Sequence, residues 1–209
     1  MLTGADARAG PVLHNKKNAV KIIISGVFLR MTRMIPPSMD THNLLLRTPR
    51  MEDAGPIFER YAQDPEVSRY LIWRPHENLE TTKQFLTRCL DVWQTGSAFP
   101  WVLVEKKSNI LIGMIEACIH DCRLELGYVL ARPYWNQGYA TEAVRAVHDW
   151  AIAQPTIYRV WAVCDFENLA SARVLEKVGM QKEGLLRRWM VHPNISNEPR
   201  DCWCYSKTK

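Results

Sequence analysis

The residues Asn136-Gln137-Gly138-Tyr139-Ala140-Thr141 stand between two segments of different period. An apolar alternating run, Leu124 to Ala131, leads in, and a helix-period run, Ala140 to Ala151, leads out. That order reads as strand, tight turn, helix N-terminus. Gly138 lets the backbone bend without a Cβ clash. The first amides of a helix lack intrahelical partners and carry partial positive charge, which suits a phosphate or pyrophosphate. Thr141 adds a hydroxyl donor. No Gly-Lys-Ser/Thr follows and no three spaced glycines occur, so the turn is neither a Walker loop nor a dinucleotide fingerprint. Upstream, Glu125 alternates with Leu124 and Leu126 on the face shared by Gly127 and Val129. A carboxylate inside an apolar strand needs a reason: a structural arginine partner, or work as a base or substrate ligand. Glu116 poses the same question on the preceding strand.

Two blocks together carry a family resemblance. Asn136 to Ala143 resembles the acetyl-CoA pyrophosphate loop of GNAT acetyltransferases, in which Gly138 and Ala140 match and Trp135 departs at the first position. Glu167-Asn168-Leu169-Ala170-Ser171, continuing to Leu175-Glu176-Lys177-Val178-Gly179, resembles the helix of the branch that acetylates ribosomal-protein N-termini, the RimJ/RimL type. The resemblance covers Leu44 to the C-terminus. It implies acetyl-CoA as acyl donor and direct attack by a primary amine in a ternary complex. It implies that Val129, Leu130 and Ala131 pair with the pantetheine arm, with free amides to polarise the thioester carbonyl, and that Asn168 lies beside it. It implies that Ser171 gives a proton to the departing thiolate, since the tyrosine many relatives place five residues on is Glu176 here. The branch's strand carboxylate falls near Trp189-Met190 and is missing, which leaves Glu125 as the candidate base. Trp73 and Arg74 in the loop Tyr70–His76, with Glu116 and with His192 in Arg187–Arg200, are the expected acceptor contacts. The acceptor is then a protein N-terminus or a small-molecule amine, an antibiotic among them; a non-catalytic acyl-CoA-binding module is the alternative from another class.

Charge narrows the partners. The net charge is +5. Residues 1–38 hold six basic residues and one acid, so the remainder is neutral and lacks the basic field of a nucleic-acid binder. Within that first segment the apolar run Val20–Leu29 is short and broken by Lys21, Ser25 and Gly26, too short for a span of about 20 residues. We expect 1–38 to be a flexible tail, with no membrane association, and 39–209 to be one domain. Six cysteines without an export signal read as reduced thiols of a cytoplasmic protein. Their spacing, Cys202-x-Cys204 and Cys118-x-x-x-Cys122, is not that of a zinc site, so no metal is expected.

The remaining pattern supplies the scaffold. Leu44–Arg47 reads as a strand and Asp53–Tyr61 as a short helix. Asn78 caps a longer helix with Leu79, Leu86, Leu90 and Trp93 on one face, ended by Gly96. Phe99–Glu105, Ile110–Ile119 and Arg123–Ala131, joined by short turns, form an antiparallel meander. The helix after Gly138 and the strand Tyr158–Cys164 make a strand-helix-strand unit, hence a parallel pair. A helix Asn168–Val178 ends at Gly179, and strands near Gln181–Val191 and Cys202–Lys207 close the chain. The expected fold is α/β (α+β): a mixed, mostly antiparallel, splayed central sheet flanked by helices, as monomer or homodimer.

Overall fold

The computed structural model describes residues 35–209. Most of the expected tail, 1–38, lies outside the described residues. Residues 36–38 belong to the domain: the Pro36 carbonyl accepts from Trp101 Nε1 at 3.0 Å, and that of Pro37 from the Thr48 amide at 3.0 Å. The short strand β1 (Ser38–Asp40) straddles the boundary drawn at residue 39 and pairs with β2 (Leu44–Arg47).

Eight strands form one sheet in the order β1-β2-β3-β4-β5-β6-β8-β7. β3 (Phe99–Glu105), β4 (Ile110–His120) and β5 (Arg123–Leu130) form the meander, with tight returns at positive-φ Asn109 and Asp121. β6 (Arg159–Asp165) lies parallel to β5; β8 (Pro199–Thr208) and the edge strand β7 (Gln181–Val191) complete the sheet antiparallel. Every residue of β3 is buried, as expected of a central strand covered on both faces.

The segment expected as one helix at Asp53–Tyr61 winds unevenly. A tight turn at Met51–Asp53 leads into α1 (Ala54–Ile57) and then a wide turn at Phe58–Ala62. A short α2 (Pro65–Ser68) follows, capped by Asp64. α3 (Leu79–Thr95) begins at the Asn78 cap, whose side chain accepts from the Thr81 amide at 3.0 Å, and stops at Gly96 with φ 72°. Its buried stripe is Thr82, Leu86 and Cys89; Leu79, expected on that stripe, is exposed. With Ile57, Tyr61 and Ala62, this stripe packs on Val102, Val104, Met114 and Ala131. α4 (Tyr139–Ala153) buries Val144, Val147 and Ala151, and α5 (Leu169–Val178) buries Ala172, Leu175 and Val178. α4 and α5 pack on each other beside β5 and β6.

One position sets how closely β4 and β5 approach at the site. A Cβ at Gly113 would stand 2.3 Å from the Val129 carbonyl oxygen and 3.1 Å from Leu130 Cα. Real contacts do not tolerate that, so a side chain there must push β5 away. Gly113→Ala is expected to destabilise the fold by about 1–3 kcal/mol, the usual cost of overpacking. Chemical denaturation should register it as a lower midpoint; an unchanged midpoint would mean that the strands separate freely here.

Candidate active site

β5 and β6 are hydrogen-bonded over three register pairs only: Arg123 with Arg159, Leu124 with Val160, Glu125 with Trp161. Beyond Glu125 the two strands part, while β5 stays paired to β4 through Leu130. The Ala131 amide donates to the Ile112 carbonyl at 2.8 Å. Because amides alternate sides along an antiparallel strand, Val129 and Ala131 point theirs toward β4, and Leu130 and Tyr128 point theirs into the gap. This corrects the expectation that Val129, Leu130 and Ala131 all offer free amides. Only the Leu130 amide of these three faces the gap.

A cavity of about 460 Å³ occupies the opening. Of the expected cofactor residues, Val129, Leu130, Asn136, Gly138, Ala140, Thr141 and Asn168 line it, and so does Ser171. Three do not. Gln137 turns back to donate to the Pro133 carbonyl at 2.7 Å, the Ala131 side chain is buried, and the Tyr139 ring packs against Tyr134. The loop turns through two left-handed residues, Asn136 at φ 60° and Gly138 at φ 89°. Gly138 caps α4 without a side-chain bond, and the first helical bond runs from the Glu142 amide to the Gly138 carbonyl. The amides of Tyr139, Ala140 and Thr141 precede that bond and have no helical partner.

The acid in this first turn does not compete for those amides. Glu142 accepts from Thr41 Oγ1 at 2.6 Å, the Asn43 amide at 2.6 Å and Asn43 Nδ2 at 2.8 Å. Burial pushes its carboxyl up, but these bonds outweigh burial and hold it below the usual range. The result ties the N-terminus of α4 to the β1–β2 turn. Arg173 and Lys177, exposed one helical turn apart on α5, and Arg69 also line the cavity; among the described residues none of the three makes an ion pair. Helix-terminal amides without helical partners and cations without ion-pair partners along one cavity fit a phosphorylated ligand such as CoA.

Asn168 caps α5, its Oδ1 accepting from the Ser171 amide at 3.1 Å. The segment before it is anchored by Asp165, which is buried and accepts from Arg200 Nε at 2.7 Å and the Glu167 amide at 3.0 Å. Ser171 therefore enters the cavity from a fixed turn.

Glu125 and Glu116 lie outside the cavity lining, on the face of the sheet that carries α3. Register places Glu125 beside Cys118, and Cys118 donates to Glu116 Oε1 at 3.5 Å, so both acids share one face. Burial raises the Glu125 carboxyl; His120, 3.9 Å away, opposes this and Glu116 adds to it. Burial likewise raises Glu116, with Cys118 opposing. Among the described residues neither acid pairs with a lysine or arginine, so the structural reading of Glu125 as an arginine partner fails.

The two expected acceptor loops meet. Asn194 Nδ2 donates to the Ser68 carbonyl at 2.6 Å and the Trp73 carbonyl at 2.8 Å. Trp73 stacks near His76, and Arg74 reaches Asn197 only at 3.4 Å. His192 is placed differently from expectation. It is 3% exposed, with Nε2 3.6 Å from Asp165 and 3.8 Å from Cys202 Sγ, so it packs the interior instead of facing an acceptor. All six cysteines are unpaired, and burial pushes Cys89, Cys118 and Cys164 up to about 12. Among the described residues no cluster could hold a metal ion, and no helix is long and apolar enough to cross a membrane.

Residues 43–181 match the family model of the acetyltransferase (GNAT) domain. The chain belongs to the GNAT acetyltransferase family. The N-acetyltransferase p20 of Bacillus licheniformis, itself uncharacterised, is 32% identical over 152 residues, covering 70% of this chain and 84% of the relative. Two solved structures share the fold at 18% identity. RimL, a ribosomal L7/L12 α-N-protein acetyltransferase solved with CoA, aligns with a TM-score of 0.72 over 83% of this chain and 97% of its own. The microcin C7 self-immunity acetyltransferase MccE, solved with acetyl-CoA and AMP, gives 0.76 over 84% and 98%. The family model, the splayed sheet and the loop-helix turn agree on an acetyltransferase of the GNAT fold.

Sequence reasoning missed Tyr128, Glu142, Arg173 and Lys177. Tyr128 lies in the alternating run Leu124–Ala131 and the other three inside the quoted blocks; Arg173 and Lys177 stand four residues apart and so share a helix face. Gly138 has open space around its Cβ direction, so the penalty of a side chain there comes from φ. Gly138→Val is expected to weaken CoA binding at least about tenfold, of the order that left-handed strain in a β-branched residue would cause. Calorimetric titration of a folded variant with CoA checks this; wild-type affinity would separate the turn from the ligand.

Proposed function

We propose that this chain binds acetyl-CoA in the β5–β6 gap and transfers the acetyl group to the α-amine of a protein N-terminus by direct attack. The observation that carries the reading is the parting of β5 and β6 after Glu125. It leaves Leu130, Ala140, Thr141 and Ser171 around one cavity, beside the first amides of α4. CoA and acetyl-CoA in the complexes of RimL and MccE support the donor.

In this reading Tyr139, Ala140 and Thr141 amides hold the pyrophosphate, and Arg173 and Lys177 hold the remaining phosphate. The Leu130 amide donates to the thioester oxygen, where negative charge grows during attack. The amine arrives from the α3 face, where Glu125 and Glu116 have no lysine or arginine partner and so favour a cation. Glu125 takes a proton from the ammonium, directly or through water. An α-amine titrates near 7.7–8.0, so a carboxylate raised by burial is an adequate base. Ser171 gives a proton to the departing sulfur.

CoA release measured with N-terminal peptides and small primary amines tests the acceptor. Peptides are expected to support turnover; turnover with small amines alone would reassign the acceptor class. Ser171→Ala and Glu125→Gln are each expected to lower kcat at least about tenfold with CoA affinity retained, within the usual 10²–10⁴ range for one acid or base. Since burial raises the Glu125 carboxyl, the acidic limb of the rate profile should lie above the ordinary carboxylate range and flatten in Glu125→Gln. Wild-type kcat in both variants would remove both residues from the chemistry.

A further inference from the structure

Ser171 has a partner that the family resemblance does not supply. The phenol oxygen of Tyr128 lies 2.8 Å from Ser171 Oγ and 3.3 Å from the Ser171 carbonyl oxygen. Tyr128 comes from β5, on the face opposite Glu125, and its side chain reaches α5 past the place where β6 has turned away. Both side chains line the cavity. The position five residues beyond Ser171, where many relatives have a tyrosine, is Glu176, and the tyrosine beside Ser171 comes from the strand instead.

The direction of the bond follows from what each group can do. The phenol has two acceptors, and the hydroxyl of Ser171 is the nearer. Burial raises the phenol above the ordinary tyrosine range, with the Ser171 contact opposing, so it stays protonated and can donate. A proton given to Oγ leaves the serine's own proton free to point into the cavity. Cys164 of β6 stands at the same serine and is itself held protonated by burial, so it offers no competing thiolate.

We propose that Tyr128 is a positioning residue for the last proton transfer: it donates to Ser171 Oγ and so aims and strengthens the serine as a donor to the CoA sulfur. This rests on the reading of Ser171 given above. The step balances within the reactants. The amine nitrogen bonds to the thioester carbon, the oxyanion collapses, and the C–S bond breaks with its electron pair on sulfur. Sulfur takes the Ser171 proton. The attacking amine is neutral because Glu125 has taken the first proton of the ammonium; once bonded to carbon the nitrogen is cationic, and the second proton it then loses, carried by water, restores the serine hydroxyl. Tyr128 keeps its proton and stabilises the charge that develops on Oγ.

The test needs no acceptor. The thiol of CoA bound to the full chain is titrated by its ultraviolet thiolate absorbance in wild type, Tyr128→Phe, Ser171→Ala and the double variant. A donor aimed at sulfur stabilises the thiolate, so wild type should have the lowest thiol pKa. Tyr128→Phe keeps the ring and the packing. It should raise the thiol pKa by about half to one pH unit, the effect of weakening one charge-assisted hydrogen bond, with CoA affinity unchanged. Because Tyr128 acts through Ser171, the double variant should match Ser171→Ala. A thiol that moves in Ser171→Ala but not in Tyr128→Phe would overturn the proposal and leave the serine reading intact. A thiol that moves in neither would overturn both. Loss of CoA affinity in Tyr128→Phe would make Tyr128 a wall of the cavity and overturn the positioning role.

Discussion

The site depends on the ending of one hydrogen-bond ladder. After Glu125 and Trp161 no register pair joins β5 to β6, yet both strands remain held on their other sides, by β4 and β8. A strand edge opened inside a sheet leaves amides without partners. Such groups are costly when buried, and a ligand that accepts from them recovers the cost. The gap is therefore stable only because its surroundings are fixed: Gly113 lets β4 hold β5 closely, and Glu142 pins α4 to the β1–β2 turn. Arg200 and Asp165 fix the approach to Asn168.

The two faces of the opened strand divide the labour. Alternation puts Glu125, Gly127 and Val129 on the α3 face and Tyr128 and Leu130 on the α4–α5 face. The acids thus meet whatever enters beneath α3, and the hydroxyls meet whatever lies along α5. In the proposed reaction a proton is removed on one side and delivered on the other, and strand period provides that separation.

Much of this was legible in the sequence because it is local. Asn78, Gly96, Asn168 and Gly179 mark helix ends through bonds and dihedrals that span a few residues, and all four stand where expected. Gly138 marks the turn for the same reason. The strands Leu44–Arg47 and Phe99–Glu105 have the expected bounds. What was not legible depends on partners distant in the chain. β1 is three residues long and follows two prolines, too short for a period to register. Which amides face the gap follows from the Ala131–Ile112 bond, a matter of register and not of composition. Tyr128 and Ser171 are 43 residues apart. His192 sits in a segment that reads as a polar loop, while in the fold it is buried beside Asp165 and Cys202.

The central claim is that backbone groups of the gap receive the donor. Amide hydrogen exchange, followed residue by residue by NMR with and without acetyl-CoA, tests it most directly. The account predicts that acetyl-CoA protects the amides of Leu130, Tyr139, Ala140 and Thr141, while those of Val129 and Ala131, already bonded to β4, change little. Protection confined to other parts of the chain, with these four amides unchanged under saturating acetyl-CoA, would contradict it.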